Sequence, residues 1–365
     1  RTIKELCSVV VDCPHSTPTW TAEGKIVVRN NNIKNGRIDF SSPSYTDDEH
    51  YQQRIKRATP QGGDIIITRE APMGEVGMIP EGIVCCLGQR MVLLRANPDI
   101  CDNYYLLYSL QSRYVQHQIS WSEGTGTTVS NLRIPHLEQL KIPYLPLSKQ
   151  RQVSSVLRCL EEKIKHNRVI NDNLQQQAQA IYASMFVDNA EPTWKQGHLS
   201  DFVIVRYGKD HKKLADGIYP VYGSGGIMRH VERPLYDKES VLIPRKGTLN
   251  NVMYVNQPFW SVDTMFYTEM RQPNVAKFVY HFVKAKDLAS MNAGSAVPSM
   301  TTDILNAMEI VIPPASVLEE FESLVAPMYR AMQENDAQSK KLADLRNALL
   351  PKLMSGEIDV SDIQL

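Results

Sequence analysis

Residues 147–186 read LSKQRQVSSVLRCLEEKIKHNRVINDNLQQQAQAIYASMF and carry the clearest periodic pattern in the chain. Alternating steps of four and three residues from Val153 to Met185 meet ten positions, and eight of them are apolar. This heptad spacing places the apolar side chains on one stripe of a helix. The stretch contains no proline or glycine, whereas Pro143 and Pro146 stand just before it. We therefore predict one long helix over residues 147–186 that buries a single stripe.

The same pattern returns 168 residues later. Seven of the ten corresponding positions between Phe321 and Leu353 are apolar. In both copies the two central positions are polar, and in the second copy Arg346 also interrupts the stripe. We expect Leu345 to take over part of that layer, and Pro327 to kink the second helix or to mark its start.

Shorter blocks before each helix repeat as well. Residues 126–129 correspond to residues 294–297 at the same offset of 168, and residues 64–69 resemble residues 239–245 with an offset of 176 between the arginines. Two blocks in the same order, each followed by a heptad helix, indicate an internal duplication. The chain is thus predicted to contain a globular unit, a long helix, a second globular unit and a second long helix.

Charge and symmetry predict how the two helices pair. The whole chain of 365 residues has 40 basic and 40 acidic side chains. Residues 148–186 hold six basic and three acidic side chains, whereas residues 315–365 hold five basic and nine acidic ones. The opposite net charges favour association, and a tandem duplication favours a pseudo-twofold that makes the helices an antiparallel coiled coil. The residues predicted to pack across the helix pair are Leu157, Leu160, Ile164, Asn167, Leu174, Ile181, Met328, Met332, Asn335, Leu342 and Leu349.

The two globular units are predicted to mix strands and helices, which makes the fold class α+β. Runs of β-branched and aromatic residues predict strands at residues 64–68, 84–94, 240–243 and 260–270. Aromatic stripes at helical spacing predict helices at residues 104–118 and 275–286. Residues 30–57 are polar and rich in turn formers, so we expect a surface excursion there.

The chain lacks the usual catalytic patterns. It has no GxxxxGK[ST] phosphate loop, no HExxH and no GxSxG. Six cysteines and nine histidines follow no metal-ligand spacing, and scattered cysteines of this kind favour a reducing, intracellular setting. No run approaches the ~18 apolar residues of a membrane helix. The sequence therefore favours a binding module over an enzyme and predicts no metal site.

Basic residues at predicted loops and strand ends are the candidate nucleic-acid contacts, because arginine suits bidentate contact with guanine and both basic side chains can bind phosphate. The candidates are Arg54, Lys56, Arg57 and Arg69 in the first unit and Lys209, Lys212, Lys213 and Arg245 in the second. Arg69 and Arg245 stand at matching strand ends of the two copies, although they could instead close structural ion pairs. Residues that could bind phosphate or form a turn are Thr127, Thr128 and Ser295.

Three motifs carry a resemblance to a known family. They are QRQV at residues 150–153 with LRCLEEKIKHN at 157–167, YPVYGSGG at 219–226, and LRNALLPKLMSGEI at 345–358. Over nearly its whole length the chain resembles the specificity subunit of a Type I restriction–modification system. The resemblance implies target-recognition domains at residues 1–147 and 187–314. It implies a central spacer helix at residues 148–186 and a C-terminal spacer helix with a tail at residues 315–365.

The resemblance also implies function and partners. Each domain is expected to read one half of a bipartite target in double-stranded DNA. The helices are expected to recruit two modification subunits, which methylate adenine with S-adenosylmethionine, and restriction subunits that use ATP and magnesium would join them. This chain itself is expected to be non-catalytic, to hold no cofactor and to work in a prokaryotic cytoplasm, near the nucleoid when bound to DNA.

Other interpretations stay open on the sequence alone. A duplicated scaffold or adaptor could bind only proteins through its coiled coil. An enzyme with an unusual site would act on DNA as an isolated chain, although the missing motifs argue against it. A specificity module of another methylation-based defence system would share the same residues.

Overall fold

The computed structural model describes residues 1–34, 36–121, 131–291 and 299–359. It contains two compact units, one made of Arg1–His166 with Ala337–Leu365 (unit 1) and one made of Asn167–Asp336 (unit 2). Each long helix is therefore divided between the units. The repeated blocks at residues 126–129 and 294–297, and with them Thr127, Thr128 and Ser295, lie outside the described residues.

The two long helices predicted from the sequence are confirmed as α6 and α10. Within the described residues the α-helices are α1 (Ile3–Leu6), α2 (Asp48–Arg54), α3 (Asn103–Gln111), α4 (Arg113–Ser120), α5 (Ile134–Gln139), α6 (Leu147–Ala183), α7 (Leu199–Phe202), α8 (Ala276–Lys284), α9 (Thr302–Asn306) and α10 (Ala315–Ser355). A π-helical turn at Ser184–Asp188 continues α6.

The strands of both units are short. Within the described residues the strands of unit 1 are β1 (Cys7–Asp12), β2 (Lys25–Val28), β3 (Ile33–Lys34), β4 (Arg37–Ile38), β5 (Ser44–Thr46), β6 (Ile65–Thr68), β7 (Val76–Met78), β8 (Cys85–Leu87) and β9 (Met91–Ala96). Those of unit 2 are β10 (Lys195–His198), β11 (Val203–Tyr207), β12 (Asp216–Gly223), β13 (Gly226–Val231), β14 (Ser240–Pro244), β15 (Met253–Val255), β16 (Trp260–Ser261), β17 (Met265–Met270) and β18 (Glu309–Ile312).

The sheets of the two units repeat the same strand pairing. Unit 1 has sheets in the order β1-β9-β6-β7 and β5-β2-β8, and unit 2 has β11-β17-β14-β15 and β13-β12-β16. In the smaller sheets, β2 and β12 each pair antiparallel with one neighbour and parallel with the other. The duplication predicted from short blocks therefore extends through the four-stranded and three-stranded sheets of both units, whereas the two-stranded sheets β3-β4 and β10-β18 are outside this repeat. The mixed α+β class is confirmed.

Backbone hydrogen bonds repeat at the same places. The Arg69 amide donates to the Arg90 carbonyl at 2.8 Å, and the Arg245 amide donates to the Thr264 carbonyl at 2.9 Å. Arg69 follows β6 directly and Arg245 follows β14 directly. The two arginines thus occupy equivalent backbone positions, as the sequence comparison predicted.

The core of unit 1 is closed by both long helices. Tyr105 and Leu106 of α3 are buried with Ile65 of β6 in one apolar cluster. Leu157 of α6 and Leu353 of α10 belong to the same cluster. Each helix therefore buries its apolar stripe against the globular part of the unit as well as against the other helix.

Helices α6 and α10 run antiparallel in unit 1. Leu157 shares a cluster with Leu353, and further along α6 the Glu161 carboxylate pairs with the Arg346 guanidinium at 2.9 Å. Residue numbers rise along α6 while they fall along α10. Arg346 thus replaces an apolar layer with an ion pair, and the expectation that Leu345 fills this layer is wrong, because Leu345 is 46 % exposed.

The same antiparallel pairing holds within unit 2. Asn171 Nδ2 donates to the Met332 carbonyl at 3.2 Å, whereas Tyr182, three turns further along α6, packs its ring on Phe321 near the start of α10. Phe186 in the π-helical turn packs against the same phenylalanine, with ring centroids 5.2 Å apart. The aromatic end of the helix pair therefore lies in the core of unit 2.

The polar central residues of the helices bond to one another. Asn335 Nδ2 donates to Asn171 Oδ1 at 2.9 Å, and Asn167 Nδ2 donates to the Asn335 carbonyl at 3.2 Å. Asn171 also donates to Asp336 Oδ1 at 2.9 Å. The side chains therefore face the other helix rather than water, and such polar pairs fix register at some expense in stability.

The heptad pattern predicts the helix pair correctly, but toward the end of α6 the buried positions are shifted by one residue from the predicted ones. Tyr182 and Phe186 are buried, whereas the predicted Ile181 and Met185 are only half-buried. A straight helix drifts about 20° per heptad against a strict seven-residue repeat, which moves the neighbouring residue into the seam. Among the other predicted packing residues Ile164 is buried, and those that are half-buried are Leu160, Leu174, Met328, Met332, Leu342 and Leu349.

Two further expectations need correction. Pro327 does not mark the start of the second helix, because α10 begins at Ala315 and runs through it. Residues 84–94 form two strands rather than one, since Gly88 and the next two residues turn the chain between β8 and β9. The excursion at residues 30–57 contains short strands and helix α2.

Candidate nucleic-acid interface

Three connections of unit 1 meet at one end of its two sheets. They follow strands β2, β6 and β8, and we call them the loop end of unit 1. The Gly88 amide donates to the Val28 carbonyl at 2.8 Å, and Asn30 Nδ2 donates to the Ala71 carbonyl at 2.9 Å. Each apolar strand ends here and is followed by glycine and polar residues, which favour turns. The two hydrogen bonds join the three connections to one another.

Unit 2 repeats this arrangement at the connections after β12, β14 and β16, the loop end of unit 2. The Val262 amide donates to the Tyr222 carbonyl at 3.1 Å, which matches the Gly88 bond in unit 1. Asn251 Nδ2 donates to the Ser224 carbonyl at 2.8 Å. The first connection is a two-residue hairpin turn at residues 224–225.

Arg54 is a structural side chain. It is only 7 % exposed, and its guanidinium donates to the backbone carbonyls of Leu87, Gly88 and Ser16 at 2.8 to 3.1 Å. Burial lowers the pKa of this guanidinium. The side chain ties helix α2 to the loop end, and this position corrects the prediction that Arg54 contacts DNA.

Lys56 and Arg57 follow α2 and are exposed. The Arg57 guanidinium donates to the Asp12 carbonyl at 3.2 Å, and this bond holds the Arg57 side chain near the end of β1. Both charges are available to a polyanion beside the loop end of unit 1. They stay candidates for phosphate contact.

Arg69 adopts the structural alternative foreseen for it. Its guanidinium pairs with the Asp12 carboxylate at 2.9 Å and donates through Nε to the Leu132 carbonyl at 3.0 Å. The Nη2 group donates to Asn131 Oδ1 at 3.2 Å. With its side chain 12 % exposed, Arg69 is largely committed to contacts within unit 1.

Arg245 has a different partner at the equivalent position. Its guanidinium lies 5.4 Å from the ring centre of Tyr207 and donates to the Asp263 carbonyl at 3.3 Å. Asp12 and Tyr207 are equivalent residues, because each pairs with the second residue of the neighbouring strand in its sheet, β9 or β17. An aromatic ring orients a guanidinium by its face and leaves its N–H edge for other acceptors.

The three candidate lysines of unit 2 are exposed. Lys209 is anchored by its backbone, since its amide donates to the Ser261 carbonyl at 2.8 Å and its carbonyl accepts from Trp260 Nε1 at 2.8 Å. Lys212 and Lys213 continue the same connection after β11. These contacts hold Lys209 beside β16, at the loop end of unit 2.

The sequence interpretation missed several loop-end residues. Lys246 is exposed next to Arg245, and Arg29 and Arg90 lie at the loop end of unit 1. A signal for Arg90 was present, because residues 88–90 interrupt an otherwise apolar run. Arg29 gave no comparable signal, since one basic residue after a strand is common on any protein surface.

Within the described part of the chain, no group of three or more histidine, cysteine or acidic side chains could hold a metal ion. No helix there is long and apolar enough to cross a membrane. Both loop ends present arginine and lysine side chains and backbone amides, which can donate hydrogen bonds.

The family profile of the Type I restriction modification DNA specificity domain matches residues 11–176 and 191–320. The chain belongs to this family. The two matches fall on the two halves of the duplication, and each contains one loop end. Recognition of DNA sequence is accordingly the function of this specificity subunit, and a specificity subunit acts in a complex with modification and restriction partners.

Individual relatives agree with the family assignment. The chain is 23 % identical over 345 residues to the Type I restriction enzyme MjaIX specificity subunit of Methanocaldococcus jannaschii, covering 82 % of this chain and 79 % of that protein. It is 30 % identical over 92 residues to the HindI specificity subunit of Haemophilus influenzae, covering 25 % and 18 %. Its fold is similar to the S subunit of a Type I restriction–modification system from M. genitalium, with a TM-score of 0.60, 18 % identity and coverage of 97 % and 95 %.

Proposed function

We propose that this specificity subunit reads a bipartite DNA target, with unit 1 reading one half and unit 2 the other. The helices α6 and α10 recruit two modification subunits, which carry out methylation of adenine. The chain contributes the choice of sequence and no catalytic group. Restriction subunits join the same complex for cleavage.

The observation that carries the proposal is the duplicated loop end with unlike side chains. Both units keep the same strand pairing and the same backbone bond from Arg69 or Arg245. The partners of these two arginines differ, since one faces a carboxylate and the other an aromatic ring. A constant frame with variable contacting residues suits two modules that select different base sequences.

The exposed cations among the contacts predicted from the sequence suit phosphate rather than bases. In unit 1 these are Lys56 and Arg57, and in unit 2 they are Lys209, Lys212 and Lys213. Phosphate contacts position a protein on the duplex without selecting sequence. Because the chain has no net charge, partner subunits supply much of the attraction to DNA.

The long helices carry apolar side chains that face away from their own unit. Val169, Ile170 and Leu324 are exposed in unit 2, and Leu345 is exposed in unit 1. Exposed apolar side chains on a helix favour protein contact. They support α6 and α10 as the recruiting elements for modification subunits.

Mapping methylated adenines in host DNA, with and without this gene, tests the proposal. We expect one split motif, two short defined halves around an unspecified spacer, that disappears when the gene is deleted. A continuous motif would contradict the bipartite assignment. No gene-dependent motif, together with intact assembly of the complex, would favour a scaffold that binds only proteins.

A further inference from the structure

A cleft of about 320 Å³ opens at the loop end of unit 1. It lies where the connections after β2 and β8 approach the segment before β2. Its lining residues are Thr17, Pro18, Trp20, Arg29, Asn30, Gly88, Gln89 and Arg90. The lining contains two arginines, an indole and two amide side chains and no carboxylate, so it is suited to a ligand rich in hydrogen-bond acceptors.

Arg29 is held at the cleft by stacking. The centre of its guanidinium lies 5.4 Å from the centre of the Trp20 ring, and Nη1 lies 3.5 Å from Ser44 Oγ. Both Arg29 and Trp20 are exposed. A guanidinium stacked by its face is pre-oriented and presents the N–H fork at its edge.

Arg90 is held from the opposite side by an unusual backbone conformation. Its φ of 65° lies in the left-handed region that non-glycine residues seldom adopt. Its carbonyl accepts the Arg69 amide at 2.8 Å, and its Nε lies 3.4 Å from Glu70 Oε2. Backbone strain of this kind persists where the surrounding contacts impose it, and it concentrates at functional sites.

The remaining polar residues brace the cleft. Gln89 Nε2 donates to the His15 carbonyl and lies 3.4 Å from Thr17 Oγ1, which ties the segment before β2 to the β8–β9 turn. Asn30 ties the connection after β2 to Ala71, as described above. Since these amides are engaged with the protein and Arg90 Nε lies near Glu70, the groups left to contact a ligand are the edge of Arg29 and the Nη groups of Arg90.

We propose that this cleft reads guanine in the half-target of unit 1, with Arg29 and Arg90 donating to the O6 and N7 acceptors on the major-groove edge. The inference rests on the proposed function, because it assumes that unit 1 faces DNA. Bidentate contact from arginine to guanine is the commonest specific contact with a base edge. The built position of each guanidinium, by stacking in one case and by backbone conformation in the other, favours reading of a fixed base over loose contact with phosphate.

The test uses the full chain assembled with its modification subunits and a library of duplexes randomised in the unit 1 half-site. The variants are Arg29→Ala, Arg29→Lys and Arg90→Gly, and the matched control is Arg113→Ala, an exposed arginine of the same unit on helix α4. Each alanine or glycine variant should relax one base pair from guanine, with a loss of preference of roughly 5- to 150-fold. The control should keep the wild-type motif.

The Arg29→Lys variant distinguishes a contact with a base from a contact with phosphate. A lysine keeps the charge but lacks the planar fork, so reading of guanine predicts relaxed preference, whereas a phosphate contact predicts an unchanged motif. The Arg90→Gly variant distinguishes a role in base recognition from a role in stability. Glycine adopts a φ of 65° without strain, so we expect a melting temperature that is unchanged or higher although preference is lost.

The outcomes that overturn the inference differ from those that overturn the proposed function. If all three variants select the wild-type half-site, the cleft does not read DNA, even though the complex still recognises a split target. If the variants weaken every duplex alike, the two arginines bind phosphate and the guanine assignment is wrong. If the wild-type complex selects no sequence from the library, the proposed function itself fails.

Discussion

Arg69 and Arg245 occupy the same backbone position in the two units, yet the residues opposite them differ. Asp12 fixes Arg69 as an ion pair, and Tyr207 supports Arg245 through its ring. A carboxylate takes up the donors of a guanidinium, whereas an aromatic face leaves them at the edge. We therefore expect the partner residue, and not the arginine, to determine whether the position serves the fold or a ligand.

The two arginines should respond differently to removal. Arg69→Ala should lower the free energy of unfolding by about 2 kcal/mol, because it leaves the half-buried Asp12 without its main partner. Arg245→Ala should change that free energy by less than about 0.5 kcal/mol, since the side chain lies at the surface. In the assembled complex, Arg245→Ala should weaken binding to the cognate duplex by about 1–3 kcal/mol and relax one base pair.

Urea unfolding and duplex binding across salt concentrations measure these changes. Binding of the Arg245→Ala complex that equals wild type at every salt concentration would exclude Arg245 from the interface. A large loss of stability in that variant would instead assign Arg245 the structural role of Arg69. Single-mismatch duplexes are the control. Loss of a base contact reduces the preference for the cognate duplex over one mismatched duplex, whereas loss of a phosphate contact weakens binding to all duplexes alike.

The sequence alone predicted the charges at these positions but not their surroundings. Arg54 was chosen for its charge and its polar neighbourhood, yet carbonyls from distant segments surround its guanidinium. The sequence did not indicate Arg29 as a contact, because Trp20, which orients it, is nine residues away and belongs to no motif. Both cases depend on which loops meet in space, and no local pattern encodes that contact.

At the scale of elements, the helices stabilise the units unevenly along their length. Leu157 is fully buried in the core of unit 1, whereas Leu160, one turn further along α6, is only half-buried. The loss of free energy on truncating a leucine grows with the cavity that remains. Equal membership of a heptad stripe therefore does not mean an equal contribution to stability.

Leucine truncations at these two positions test that difference. Leu157→Ala should lower the free energy of unfolding by about 2–5 kcal/mol, the range for a buried leucine, and Leu160→Ala should lower it by clearly less. Both variants carry the same chemical change on the same helix, so each controls for the other. Equal losses in urea unfolding would show that the helix pair, rather than the globular core, sets the contribution of α6.

Periodicity predicted the existence and length of these helices because those features follow from an apolar stripe in one segment, whereas the antiparallel direction was predicted from the duplication. It placed the aromatic end of α6 one residue out of phase, at Ile181 and Met185 instead of Tyr182 and Phe186. The aromatic cluster around Phe278 selects the larger rings for burial, and a heptad count contains no information about that cluster.

Helix α8 links the globular part of unit 2 to both long helices through a buried histidine. His281 Nδ1 donates to Gln179 Oε1 of α6, 2.7 Å away, and Nε2 accepts from the Tyr329 hydroxyl of α10, 2.9 Å away. Tyr182 stacks on its ring, and burial lowers the pKa of His281 to about 4. The neutral imidazole is thus the form that fits the folded unit.

Acid should therefore weaken unit 2 through this group. Because the folded pKa lies below the ordinary value of about 6.5, the contribution is complete above that pH and is lost as the pH falls toward 4. Between pH 7.5 and 4.5 the loss is roughly 2–3 kcal/mol. His281→Gln, which cannot titrate there, should remove that part of the pH dependence in urea unfolding. An unchanged pH profile in this variant would assign the acid sensitivity to the carboxylates of the unit.

At the scale of the whole molecule, the duplication kept the frame and changed the contacts. The strand order of the four-stranded and three-stranded sheets, and the backbone bond from the first residue after β6 or β14, are common to both units. The connection after β2 is a long structured excursion in unit 1, whereas its equivalent in unit 2 is a two-residue hairpin turn. Divergence is thus concentrated at the loop ends, where a module can change its ligand without rebuilding its core.

Modular exchange is the prediction that follows for the molecule as a whole. Replacing residues 1–147 with the first domain of another family member should change one half of the methylated motif and leave the other half intact. The core of unit 1 also includes Leu157 of α6 and Leu353 of α10, so a foreign domain meets helix residues that it was not selected to contact. We therefore expect a lower melting temperature for this chimera than for one that also takes residues 148–166 and 337–359 from the donor.

Both chimeras should show the same new half-motif when methylated adenines are mapped. A change in both halves would mean that the units do not read DNA independently, whereas equal melting temperatures would mean that the helix residues take no specific part in the core of unit 1.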